Sequence, residues 1–358
     1  MTVPQLIRHL HLPGITPFAR ATAIQNILAR QHLTYKALSS SLVHPSPLPP
    51  PPTPTLLTFS PTPVYTTGRR EFGTLSPFTI QLLQEPLPEI TGKGGLNNGF
   101  ANGFTPEVKE TLRGGQITFH GPGQLVIYPI LDLKSVKSEK WPKGLSARCF
   151  VNVLEEATIN TLKSFGIKGI RTDNPGVWVS EEKKIAALGL HLRRNITSFG
   201  VGLNIRTDLR YFDKIVACGL EGKKTTSIKE ELWKEKSAYE YVKEAKKEER
   251  SRAKARHSQD SNRMELARIA KLWAKEFGEL IWGGEGRIEM YKTRREKVIA
   301  QFLDKGEWRV GDGEWKREER VFKQREDGEW KEAISDEQVL NGDEVGDGPG
   351  RGMVRGTL

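Results

Sequence analysis

Apolar residues recur at helical spacing over 17–36, where Ala21, Ile24, Ile27 and Leu28 share one face. The proline-dense stretch 45–54 rejects regular structure, because proline lacks a backbone donor and fixes φ, and it reads as a loop or polyproline segment. Apolar runs at 56–59 and 64–68 predict strands. Residues 85–104, rich in Gly, Asn and Pro, predict a surface insertion. The glycine-dense segment RGGQITFHGPG (113–123) leads into QLVIYPILDL (124–133), a near-continuous apolar run expected of a strand buried on both faces. An amphipathic helix follows at 146–166, with Phe150, Val153, Leu154, Ala157 and Leu162 on one side. Residues 176–192 predict a hairpin with a polar turn at 180–183, and FGVGLNI (199–205) another strand. Residues 234–263 are dense in Lys, Glu and Arg and predict a solvated helix or a disordered insertion. A clear amphipathic helix returns at 264–283 through Leu266, Ile269, Leu272, Trp273, Phe277, Leu280 and Ile281. The charged tail beyond it is expected to be largely disordered. Strands outnumber helices in the first two thirds without strict alternation, which argues for an α+β fold, a mixed sheet with helices packed on one side.

The length of 358 residues allows two domains or one domain with long additions. No apolar run is long enough for a transmembrane helix. A net charge of +11 suits nucleic acid, an anionic surface or an acidic protein partner and does not choose among them. The positive charge of the tail is mixed with acids, unlike the aromatic-interleaved basic strands of a nucleic-acid binder. Two cysteines, Cys149 and Cys218, make no disulfide framework and point to a reducing compartment. The first 70 residues contain no acid, as in organelle transit peptides.

Three features could carry chemistry. The 113–123 loop is no Walker A motif, having no Lys-Ser/Thr after its glycines, and no dinucleotide fingerprint, because a strand rather than a helix follows it. Two readings stay open: backbone brought close to a ligand with Arg113 and His120 beside it, or a tight strand entry with a buried, hydrogen-bonded His120. Cys218, in a Cys-Gly turn, is either turn filler or a nucleophile. A free thiol has a pKa of about 8.5 and needs a nearby cation to ionise at neutral pH. Lys184, heading the apolar strand IAALGLHL, is the candidate, with ordinary surface charge as the alternative. A pair about 4 Å apart would gain roughly 4 kcal/mol at an effective dielectric of 20, enough to bring the thiol below neutral. Spacing does not establish that proximity. Cys149, at a helix start, reads as a small half-buried residue.

RGGQITFHGPGQLVIYPILDL, KIAALGLHLRR, GVGLNI and ACGL, in that order, closely resemble the lipoyl(octanoyl) transferase family. TPFARATAIQNILARQ and PVYTTGRRE are similar to its opening helix and second-strand region. The resemblance implies the fold of biotin and lipoate protein ligases. It places a catalytic domain over 1–230 with inserts near 38–55 and 72–108, a charged insertion at 231–263, the domain's C-terminal helix at 264–284, and an extension at 285–358. By position, Cys218 would form an acyl thioester and Lys184 would lower its pKa and act as base. Arg113, Gly114, Gly115, Gln116, Ile117, Thr118, Phe119 and His120 would line the acyl site, with Ala187, Leu188 and Gly189, and with Gly200, Val201 and Gly202. Implied partners are octanoyl-acyl carrier protein and the lipoyl domains of 2-oxoacid dehydrogenase complexes and the glycine cleavage H protein, with no nucleic acid and no membrane. No cofactor or metal is implied, and the location is mitochondrial. The family's opening helix starts almost at Met1 here, so a targeting signal would be fused into the domain edge or lie outside this sequence. The sequence departs from the family in having Phe199 where a histidine is usual and Ala217 where a proline is usual. The alternatives are an ATP-dependent lipoate or biotin ligase of the same fold, which would use the lysine without a cysteine, and a non-catalytic protein that binds through its basic surface.

Overall fold

The computed structural model describes residues 6–41, 47–88, 105–234, 258–282 and 287–291. All of them lie within the compact unit Met1–Thr293. In chain order the elements are β1 (Leu6–Thr16), α1 (Phe18–Ser40), β2 (Thr55–Pro61), β3 (Val64–Thr67), α2 (Pro77–Gln84), β4 (Glu107–Glu110), β5 (Thr118–His120), β6 (Gln124–Ile130), α3 (Ala147–Lys163), β7 (Val177–Ser180), β8 (Lys183–Arg193), β9 (Ile196–Asn204), β10 (Lys224–Thr225), α4 (Ile228–Lys234), α5 (Ser258–Trp282) and β11 (Arg287–Tyr291). The large mixed sheet runs β10-β8-β9-β6-β2-β1-β11, with β7 also on β8, and a smaller sheet runs β4-β3-β5. The insertion expected at 85–104 and the charged stretch expected at 234–263 fall mostly outside the described residues. The extension expected after 284 contributes β11, parallel to β1.

Period-2 alternation sets which face of the sheet is core. Leu125 and Ile127 of β6, with Val201 and Leu203 of β9, turn toward α3 and α5, where they meet Phe150, Leu154, Trp273 and Phe277. The side chains of Trp273 and Phe277 are fully buried, and each stabilises the fold by about 1.5–3 kcal/mol. Trp273 Nε1 donates to Thr158 Oγ1 at 2.9 Å, so the indole is buried without a lost hydrogen bond. The α+β expectation holds, but the helices cover both faces. α1 lies opposite α3 and α5, its Phe18 ring stacked on His120. Its buried stripe is Phe18, Ala21, Gln25, Leu28 and His32, not the expected Ile24 and Ile27. Two polar residues on that stripe hid it from an apolar count.

Polar residues inside apolar alternation also hid β1. His9 is fully buried within it and its Nε2 meets Thr58 Oγ1 at 2.8 Å. α2 was hidden by its shortness; Ser76 caps it by accepting from the Thr79 N–H, and Pro77 opens it. No helix among the described residues is long and apolar enough to cross a membrane.

Burial holds four histidines below their ordinary value: His9 at about 3, and His11, His32 and His120 at about 4. These groups stay neutral in the folded chain while the unfolded chain binds their protons first. Stability is therefore expected to fall as pH drops from 6.5 toward about 4. Urea midpoints measured across that window check this, and a flat profile would contradict it.

Candidate active site

The sheet face away from α3 and α5 carries almost no side chains at one place. Ala187 and Gly189 of β8 stand in register with Gly202 and Gly200 of β9. These four positions bear at most a methyl group, so the sheet surface is left as a trough. Between them, Leu188 and Val201 border the cavity while their side chains pack toward the core. The cavity encloses about 390 Å³. Its other wall is the glycine-rich segment: Arg113, Gly114, Gly115, Gln116, Thr118 and His120 all line it. Ile117 and Phe119 do not. They alternate to the opposite side, where Phe119 stacks on Tyr211 at 4.3 Å in a separate apolar cluster. Lys184 and Cys218 also line it.

Backbone bonds hold the wall against the floor. Gly114 N–H donates to Leu190 O at 2.8 Å, and Arg69 N–H to Arg113 O at 2.9 Å. The Arg113 guanidinium, 6 % exposed, turns inward to Thr66, with Nη2 at 2.5 Å from its carbonyl oxygen and 2.9 Å from Oγ1. Burial lowers the Arg113 pKa, while Cys218, Tyr128 and Glu71 oppose that shift, so a fixed cation lies in the electrostatic neighbourhood of the thiol.

His120 is held in one tautomer. Its Nδ1 is 2.6 Å from Gln124 Oε1, and Gln124 Nε2 donates to Phe119 O at 3.2 Å and to Asn204 Oδ1 at 2.9 Å. Asn204 Nδ2 in turn donates to Thr226 O at 3.1 Å. Two backbone carbonyls thus orient both amides, leaving Gln124 Oε1 as an acceptor, so His120 carries its proton on Nδ1 and keeps the Nε2 lone pair. Burial, then the Arg113 charge, holds the ring at about 4, so it is neutral at physiological pH. The buried-histidine reading of this segment and the ligand-wall reading are therefore compatible in geometry.

Cys218 lies on a 3-10 turn, Ala217–Gly219, with φ 57°, and its N–H donates to Ile117 O at 2.9 Å. The Gln116 side chain lies over Gly219, where a Cβ would collide with it. After the turn the chain returns to the sheet as β10, whose Thr225 pairs with Lys184. That pairing closes the sequence gap between lysine and cysteine. Lys184 Nζ donates to Pro175 O at 3.2 Å, sits 4.6 Å above the Trp178 ring and shares the cavity lining with Cys218, whose charge acts on it. Desolvation lowers its pKa from the ordinary lysine value; Cys218 and Glu155 oppose the shift without cancelling it. Gly176, at φ +129°, leaves room for the lysine stem, since a Cβ there would stand 3.3 Å from Lys184 Cε and 2.7 Å from Ala186 O.

Sequence reasoning missed Arg70, Tyr128, Asn174, Pro175 and Leu190, and took Phe199 only as a departure from the family pattern; all line the cavity. Strand alternation from Gln124 would have placed Tyr128 on the cavity face. Nothing local marked Asn174 or Pro175.

A buried lysine and a thiol lining one glycine-floored trough suit an enzyme that handles acyl groups. Comparison with known proteins specifies it further. Residues 101–249 match the lipoyl protein ligase A/B catalytic domain. A protein of Schizosaccharomyces pombe named "Probable octanoyltransferase" is 46% identical over 219 residues, 61% of this chain and 82% of that protein. The mitochondrial octanoyltransferase of Saccharomyces cerevisiae is 34% identical, over 63% of this chain and 75% of that one. The mitochondrial octanoyl-acyl-carrier-protein:protein N-octanoyltransferase of Danio rerio is 41% identical, over 63% and 83%. A solved lipoate-protein ligase A bound with ATP aligns over 85% of this chain and 95% of its own, with a TM-score of 0.43 at 14% identity. The chain belongs to the octanoyltransferase family and is an acyltransferase. The expected mitochondrial location agrees with the names of these eukaryotic relatives.

Proposed function

We propose that the enzyme moves an octanoyl group from octanoyl-acyl carrier protein to a lysine of a lipoyl domain through a thioester on Cys218. The observation that carries this reading is the convergence of Lys184 and Cys218 on one apolar trough. In the first half-reaction Lys184 takes the thiol proton, the Cys218 sulfur forms a bond to the donor carbonyl, and the bond to the carrier's thiol breaks. The departing thiolate receives the proton from Lys184. In the second, the target amine attacks the thioester, its proton passes to Lys184, and the Cys218 sulfur leaves. A lysine whose charged form is disfavoured by burial suits both transfers. Arg113 offsets negative charge that develops beside the sulfur. Arg70, exposed at the cavity edge, gives an acidic carrier a cation to meet. The acceptors are the lipoyl domains of 2-oxoacid dehydrogenase complexes and the glycine cleavage H protein.

The test is intact mass spectrometry after incubation with octanoyl-carrier protein in the absence of ATP. An octanoyl adduct that hydroxylamine removes, and that passes to an added lipoyl domain, is the expected result. Absence of the adduct, with transfer only when ATP and free octanoate are supplied, would replace this reading with that of a ligase.

A further inference from the structure

Phe199 breaks the rule that orders the rest of β9. By alternation it belongs on the core face with Val201 and Leu203. Its ring is instead on the cavity face, 5.6 Å from the Tyr128 ring in a T-shaped contact, and it lines the cavity. The cause is a left-handed backbone, φ 60° in a non-glycine residue. Such a conformation is costly for a bulky side chain and persists only where its surroundings fix it. Two neighbours do so. The β6–β9 pairing stops at Ile127–Val201. Extending that register sets Pro129, which has no N–H to give, opposite Phe199. The Phe199 N–H turns to Gln25 Oε1 of α1 at 2.6 Å, a buried bond.

The ring is set at one end of the trough. The thiol lies beside Lys184 at the start of β8, and the ladder runs from there through Ala187–Gly202 and Gly189–Gly200 to Leu190–Phe199. Between lysine and ring the paired floor positions are small. There Phe199 is 8 % exposed and lines the cavity beside Tyr128, and Phe59 backs Tyr128 with centroids 5.2 Å apart. A chain bound to Cys218 and laid along the glycine floor in this direction would run toward an aromatic wall.

We propose that Phe199, flipped into the cavity by its left-handed backbone, is the stop that sets the longest acyl chain the enzyme accepts. This rests on the acyl-transfer reading of the same cavity. Two variants test it. Phe199→Gly removes the ring at a position whose φ glycine adopts freely, and Phe199→Leu keeps an apolar side chain while shortening it. Dissociation constants for free octanoate, decanoate and dodecanoate are measured by calorimetry on the wild type and both variants, alongside acyl-adduct rates from the matching carrier thioesters. The longer-to-octanoyl preference is expected to rise about tenfold in Phe199→Gly, the worth of roughly two buried methylenes, and less, in the same direction, in Phe199→Leu. Unchanged chain-length ratios in both variants would overturn the proposal. An adduct missing from the wild type would instead strike the thioester mechanism, and the binding ratios would still decide the stop.

Discussion

Cys218→Ala is expected to reduce octanoyl transfer by about a thousandfold or more, with no acyl adduct detectable by mass, because no other group can form the thioester at that point. The fold is expected to survive. Cys218 is half-buried on a surface turn, contributes nothing to the two apolar clusters, and holds its place through a backbone N–H that alanine retains. Fatty-acid binding should accordingly remain, since the glycine floor and the Arg113–His120 wall are untouched. Cys218→Ser should restore little, because an alcohol at this site is far harder to ionise than a thiol. Transfer by Cys218→Ala within tenfold of wild type would show that the acyl group never resides on this sulfur.

Lys184→Met is expected to lower transfer by about 10²–10⁴, the usual contribution of a positioned general base. The same change is expected to leave the protein at least as stable at neutral pH. Burial outweighs the attraction of Cys218 and Glu155, so the charged form of Lys184 is less favourable in the folded than in the unfolded chain. In the window below the ordinary value of 10.5, the unfolded chain still holds this proton while the folded chain is losing it. Wild-type stability therefore rises with pH there, and the advantage of the methionine variant should close as that value is approached. Melting temperatures of both proteins from neutral pH upward, read beside their transfer rates, check the two halves together. An inactive variant that is clearly less stable at neutral pH would mean that the bonds to Pro175 and the contact with Trp178 outweigh the cost of burying the charge.

Sequence reading was strongest where structure is periodic. The apolar run at 124–133 is the central strand β6, and the hairpin read over 176–192 is β7 and β8. The helix expected over 146–166 is α3. Each has a hydrophobic repeat that matches its own geometry. β1 and the buried stripe of α1 were less legible because His9, Gln25 and His32 occupy inward positions, and a polar residue buried by a specific partner looks like a surface residue in the sequence. The site shows the same division. Glycines at alternate positions of two strands are a local pattern, and they form the trough floor. Ile117 and Phe119 were carried along with their neighbours, although alternation through β5 and the residue before it turns them away from the cavity.

The sequence by itself determined most of the strands and helices with a regular apolar repeat, which segment is rich enough in glycine to let a ligand approach the backbone, and which cysteine and lysine were worth pairing. The tertiary structure decided what those residues face. Lys184 meets Cys218 because β10 brings the chain back beside β8 after the cysteine turn. His120 is a hydrogen-bond acceptor because Gln124 is anchored by the Phe119 carbonyl and by Asn204, a residue distant in sequence that the Thr226 carbonyl holds in turn. Phe199 enters the cavity because Pro129 on the adjacent strand and Gln25 on α1 hold its backbone left-handed. Periodicity is a property of neighbours along the chain; charge state, tautomer and side-chain direction depend on groups that only folding brings within hydrogen-bond distance.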